Sequence, residues 1–102
     1  MTMSKTAAIR EAAEHVSIWG KGTSWTVCGP YRYADLRGPS TEVSADSYAK
    51  AAWVRTKWRA RIALTLMGQL TDDADWIIEN SQGDLRTIVN RAVIAQAKGT
   101  RS

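Results

Sequence analysis

Apolar residues recur at helical spacing in four separate stretches of the chain. Ile9, Ala12, Ala13, Val16 and Trp19 form a stripe that predicts a first helix from about Lys5 to Ile18, capped by Ser4 or Thr6. Gly20 reads as the glycine that ends it. A second helix is expected from about Asp46 to Met67, with Ser44 as N-cap and Gly68 as stop. It carries two apolar faces, one of Ala51, Val54, Trp58 and Ile62 and one of Trp53, Ala60, Leu64 and Met67. A helix apolar on two sides is packed on two sides, so it should be central. Thr71 and Asp84 cap two shorter helices, Asp72 to about Asn80 and Leu85 to about Lys98.

Between the first two helices the pattern changes. Gly22, Gly29-Pro30 and Gly38-Pro39 punctuate short runs in which β-branched and aromatic residues alternate with polar ones. Ser24–Cys28, Tyr31–Leu36 and Thr41–Val43 read as strands of a small antiparallel hairpin or ribbon. The expected fold class is therefore α+β: about four helices, with a small antiparallel β-ribbon inserted between helix one and the long central helix two. The 102 residues suffice for one core, so residues 1–102 are read as a single domain.

Composition narrows the function classes. One cysteine, Cys28, allows no internal disulfide, and the first residues lead into an amphipathic helix instead of an apolar leader. The longest apolar stretch, around Ile62–Met67, is far short of the ~20 residues of a membrane span. We expect a cytoplasmic protein of the host cell with no membrane contact. Five Trp, three Tyr and no Phe are more amphipathic aromatics than so small a core hides, so at least one Trp should be partly exposed. The formal charge of +4 suits an acidic partner, and it also suits plain solubility.

Candidate chemistry is sparse. His15 and Cys28 are the only residues of their kinds, with no third group to orient them, and two ligands do not make a zinc site. Asp72, Asp73 and Asp75 crowd the first turn of a helix, where the dipole favours them without any metal. Gly20-Lys21-Gly22-Thr23-Ser24 has the composition of a phosphate loop in the wrong order, with a helix before it and a strand after. It reads as a helix-to-strand turn. No cofactor, metal or catalytic group is expected. Gly83-Asp84-Leu85-Arg86 resembles the arginine-bearing lid of AAA+ clamp-loader ATPases over about Ile77 to Asn90, but no nucleotide-binding domain accompanies it. The last two helices have helix-turn-helix proportions, yet Glu79, Gln82 and Asp84 stand where small or apolar residues belong.

The basic residues of helix two fall in two stripes, Lys50, Lys57 and Arg61 in one and Arg55 and Arg59 in the other. Such stripes either border a buried helix with their stems or form a rail of cations. We take Lys57 and Arg61, with Tyr31, Arg32, Tyr33 and Arg37 of the ribbon, as the expected partner-binding set.

Size, layout and the stretch His15-Val16-Ser17-Ile18-Trp19-Gly20-Lys21-Gly22-Thr23-Ser24-Trp25-Thr26-Val27 resemble small accessory proteins of phages and mobile elements, the anti-CRISPR proteins among them. The resemblance implies a non-enzymatic inhibitor that binds a bacterial host complex, such as a type I CRISPR surveillance complex, and blocks its access to DNA. Many such inhibitors are acidic DNA mimics. A basic chain should instead cover an acidic or mixed protein surface, or wedge sterically, as a monomer or weak dimer. The alternative is a small basic nucleic-acid-binding accessory protein or regulator.

Overall fold

The structure, a computed structural model, describes residues 3–29 and 41–97. Helix α1 spans Lys5–Ala12 and starts at Ser4, whose Oγ accepts the Ala7 amide at 3.3 Å. It stops six residues before the expected end at Ile18. Two tightened turns close it, Glu14 N–H to Glu11 O at 3.1 Å and His15 N–H to Ala12 O at 3.2 Å. Beyond them Val16, Ile18 and Trp19 are β-branched or aromatic, and they gain more from a pleated neighbour than from another helical turn. Strand β1 therefore covers Ser17–Lys21.

Gly20 is not a helix cap but a residue of β1, opposite Trp25. Its φ is 143°, and a Cβ there would lie 2.2 Å from the Ser24 carbonyl oxygen, so only glycine fits. The segment read as a helix-to-strand turn is a hairpin: Lys21 pairs with Ser24 across Gly22-Thr23, with Gly22 at φ 61°. Glycine first is the pattern of the type II′ hairpin loop, whose twist matches that of the strands.

Strand β2 covers Ser24–Gly29 and β3 covers Thr41–Ala45. They complete an antiparallel sheet in the order β1-β2-β3. The register aligns Ile18, Val27 and Val43 across the three strands. By the two-residue alternation these share the inner face with Trp25 and Ala45. Ser17, Trp19, Lys21, Ser24, Thr26, Cys28, Glu42 and Ser44 form the outer face. The chain is thus α+β, with four helices and an antiparallel ribbon between the first and second helices. The expected strand Tyr31–Leu36 lies outside the described residues.

Helix α2 spans Tyr48–Leu66. Its N-cap is Ser47, not Ser44, because Ser44 is still paired in β3 opposite Thr26. Gly68, at φ 71°, turns the chain away after the C-cap Met67. Helices α3, Asp72–Asn80, and α4, Leu85–Ala97, start at their expected caps. Thr71 Oγ1 accepts the Ala74 amide at 3.1 Å, and Asp84 Oδ1 accepts the Thr87 amide at 2.8 Å. The backbone hydrogen bond from Thr87, with that residue's hydroxyl, holds the Asp84 carboxyl below its usual range.

α2 packs against α1, all three strands, α3 and α4. Trp58, Ile62 and Ala51 fill one side of it, and Ala60, Leu64 and Met67 another. Lys5 Nζ donates to Asn90 Oδ1 at 2.7 Å, tying α1 to α4. Trp58 is 3% exposed at the middle of this arrangement. Trp58→Ala should therefore cost about 3–5 kcal/mol, a large part of a small domain's stability. Urea unfolding should show it as a lower midpoint at an unchanged slope.

Candidate functional site

Along the first basic stripe of α2, Lys50 stays exposed while Lys57 and Arg61 turn into the fold. Arg61 is 3% exposed. Its Nε donates to Asp75 Oδ1 at 2.6 Å, and its Nη2 donates to Glu79 Oε1. Lys57 Nζ donates to the other Glu79 oxygen at 3.1 Å, and lies 5.5 Å from the centroid of the Trp53 ring. The two cations stand one helical turn apart on α2 and the two carboxylates one turn apart on α3, so the helices mesh charge against charge. Lys57 and Arg61 were expected in the partner-binding set. The structure instead places both in the α2–α3 contact, Arg61 fully inside it. Asp75, read as a dipole residue, is one of Arg61's counter-ions. Tyr31, Arg32, Tyr33 and Arg37 lie outside the described residues.

The second basic stripe is also partly absorbed. Arg59 Nη2 donates to the Val16 carbonyl at 2.7 Å, where α1 hands over to β1. Its Nε is buried without a hydrogen-bond partner. Burial, and then the like charge of Arg55, make the Arg59 guanidinium easier to deprotonate than usual. His15 is held by Glu11 at 3.1 Å, and Cys28 lies on the outer sheet face. Among the described residues no three His, Cys, Asp or Glu side chains gather as a metal ion would need. No helix among them is long and apolar enough to cross a membrane.

Among the described residues Trp76 on α3 and Ile94 on α4 are half exposed, and two places on or beside the sheet are also open to a partner. The outer face of the sheet presents Trp19, 49% exposed, on an otherwise small and polar surface. Its neighbours are Thr26 and Ser44 across the strands and Ser17 and Lys21 along its own. At the hairpin end, a groove of about 620 Å³ runs between Trp25, Ser44, Asp46, Lys50 and Val54. The Trp25 ring is pinned there by its Nε1–H to the Gly22 carbonyl at 2.9 Å and by the edge of Tyr48, with ring centroids 5.1 Å apart. An ion pair of 3.0 Å between Lys50 and Asp46 stands at the rim.

The α3–α4 pair suits phosphates poorly. Arg86 and Arg91 are exposed, but Arg91 donates to the Gln82 carbonyl at 2.8 Å. Asp84 caps α4 at the end that a groove-reading helix would present.

The exposure of Trp19 was not foreseen because it reads as the last apolar position of helix one; its neighbours Ile18 and Val16 were the signal for a strand. The ion network had a clear signal too, since Lys57/Arg61 and Asp75/Glu79 share the same four-residue spacing. No protein-family model matches the chain, and no curated protein or solved structure matches it.

The network makes separable expectations. Replacing both Asp75 and Glu79 by their amides leaves the buried Arg61 charge with neither carboxylate, at a cost of about 3–5 kcal/mol. Arg61→Met removes the buried charge and frees two half-exposed carboxylates to water. It should stay within about 1 kcal/mol of wild type in the same urea titration. Burial alone would raise the Glu79 carboxyl, but hydrogen bonds and charge from Arg61 and Lys57 outweigh it and bring it below 4.5. A carboxyl lowered on folding stabilises fully above its unfolded value and loses that contribution as the pH falls through its folded one. Below about pH 4.5, wild type should therefore lose stability more steeply than Glu79→Gln, as melting temperatures between pH 6 and pH 3 would reveal.

Proposed function

We propose that the protein is a non-enzymatic binding protein that inhibits a bacterial host complex by covering part of its surface, and that the outer face of the sheet is its contact surface. The observation that carries this is Trp19, held half exposed in the middle of β1. Tryptophan is the side chain most enriched in binding hot spots, where a large apolar body and one N–H are buried together. A rigid strand presents it with little entropy left to lose. Lys21 beside it and the net charge of +4 favour an acidic or mixed protein surface. Tyr31, Arg32, Tyr33 and Arg37 stay in the proposed contact set by residue type. Lys57 and Arg61 leave it, because their charges are engaged within the fold.

The resemblance to anti-CRISPR proteins makes a type I surveillance complex the first partner to test, with loss of DNA access as the consequence. Duplex DNA is the weaker candidate, since Asp72, Asp73 and Asp84 flank the one helix pair with helix-turn-helix proportions.

Affinity capture from a bacterial lysate, read by mass spectrometry, tests the reading. Wild type should retain a defence complex, and Trp19→Ala should lose it by about 30-fold or more in affinity, the effect of a hot spot worth ~2 kcal/mol. Its melting temperature should stay near that of wild type. Equal capture by both proteins would remove Trp19 from the contact surface. Binding of random duplex DNA that weakens steeply with salt would favour the nucleic-acid reading.

A further inference from the structure

β1 is the outermost strand of the described sheet, and the hairpin register fixes which of its backbone groups point away from β2. A two-residue loop joins Lys21 to Ser24, so these two exchange hydrogen bonds. Antiparallel pairs alternate, so Trp19 with Thr26 and Ser17 with Cys28 are also hydrogen-bonded pairs. The N–H and C=O groups of Ile18 and Gly20 therefore point outward. No backbone group among the described residues bonds to them. Gly20 is exposed, and a glycine's surface is nearly all backbone, so this edge faces water. One end of the open stretch is closed by Arg59, which occupies the Val16 carbonyl at 2.7 Å. The other end is the Gly22-Thr23 turn. Among the described residues, nothing pairs with the outer edge of Ile18-Trp19-Gly20.

Such a segment is complementary to itself. Laid antiparallel on a second copy about a two-fold axis at Trp19, Ile18 faces the partner's Gly20 and exchanges two hydrogen bonds with it. The symmetry repeats them, which uses every outward backbone group of the stretch. Trp19 then meets the partner's Trp19 in a non-hydrogen-bonded pair, the closer of the two kinds, on the outer face. Aromatic cross-strand pairs are among the favourable ones. Ile18 lies against a glycine, which leaves it room. Lys21 comes opposite the partner's Ser17, so no like charges face each other across the seam. Shifting the register by two residues in either direction pairs Ile18 or Gly20 with itself and leaves the other without a partner.

We propose that two copies join edge to edge through β1, forming a six-stranded antiparallel sheet whose outer face carries the paired Trp19 side chains at its centre. The seam is short, so the dimer is weak. The inference rests on the strand geometry and does not require the outer face to be an inhibitor's contact surface.

Sedimentation equilibrium from about 10 µM to 1 mM tests it. Wild type should pass from monomer to dimer within that range. Ser17→Glu places a carboxylate opposite the partner's Lys21 twice per dimer and should tighten association by about three- to tenfold. Ser17→Lys should loosen it by a similar factor, and Trp19→Lys should abolish it. Both positions are exposed, so circular dichroism should show the same fold in every variant. Wild type that stays monomeric at about 1 mM, or a dimer indifferent to the charge at position 17, would overturn the proposal. Capture of a host complex is a separate readout, so either idea can fail while the other stands.

Discussion

A buried guanidinium needs its counter-charges brought to it, and that requirement organises the C-terminal half of this protein. Arg61 is 3% exposed on the helix that touches every other element. A cation removed from water costs several kcal/mol unless carboxylates meet it with good geometry. Asp75 and Glu79 can do so only if α3 crosses α2 with this face turned inward and in this register. Ala74, Ile77 and Ile78 are then directed into the core beside it. The hydrophobic effect would accept several rotations of so short a helix; the ion network accepts far fewer. α4 follows, since it is joined to α3 by only a few residues and packs on both α2 and α3.

The first half of the chain obeys a different constraint. Val16 and Trp19 continue a helical stripe with Ile9 and Ala12, while Val16 and Ile18 fit an alternating strand, because short apolar runs satisfy both periods. The tie is broken by a contact distant in sequence. β2 needs a partner on its β1 side, and Gly20 and Gly22 let the chain fold back tightly enough to supply it. Glycine at the end of an apolar stripe looks the same from the sequence whether it closes a helix or permits a hairpin. Only the steric clash that any Cβ at position 20 would make with the Ser24 carbonyl separates the two.

What was legible in the sequence follows from this contrast. The caps Thr71 and Asp84, the stop at Gly68 and the two-sided character of α2 are local signals, and the structure has them where they were expected. The role of Lys57 and Arg61 was not local. A cation on a long helix looks the same in sequence whether it faces solvent, a partner or another helix. The deciding information sat fourteen and eighteen residues away, in Asp75 and Glu79. Trp19 was hidden by the same ambiguity of period that concealed β1.

The ion pairs also reshape the meaning of the net charge. Lys50, Lys57 and Arg61 are matched by Asp46, Asp75 and Glu79 along α2 and its contact with α3. Equal numbers cancel, so the whole excess of +4 is carried by residues outside this network. Lys21 is one of them, and it projects from the outer sheet face two positions from Trp19. Arg32 and Arg37 fall in the sequence between β2 and β3 and lie outside the described residues. The first turn of α3 is acidic, with Asp72, Asp73 and Asp75. The molecule is therefore not uniformly basic, and on the outer sheet face itself Lys21 is offset by Glu42. Under the proposed reading, Trp19 would supply the apolar area of the contact, and the opposite signs of Lys21 and Glu42 on the same face would suit a mixed surface better than a uniformly acidic one.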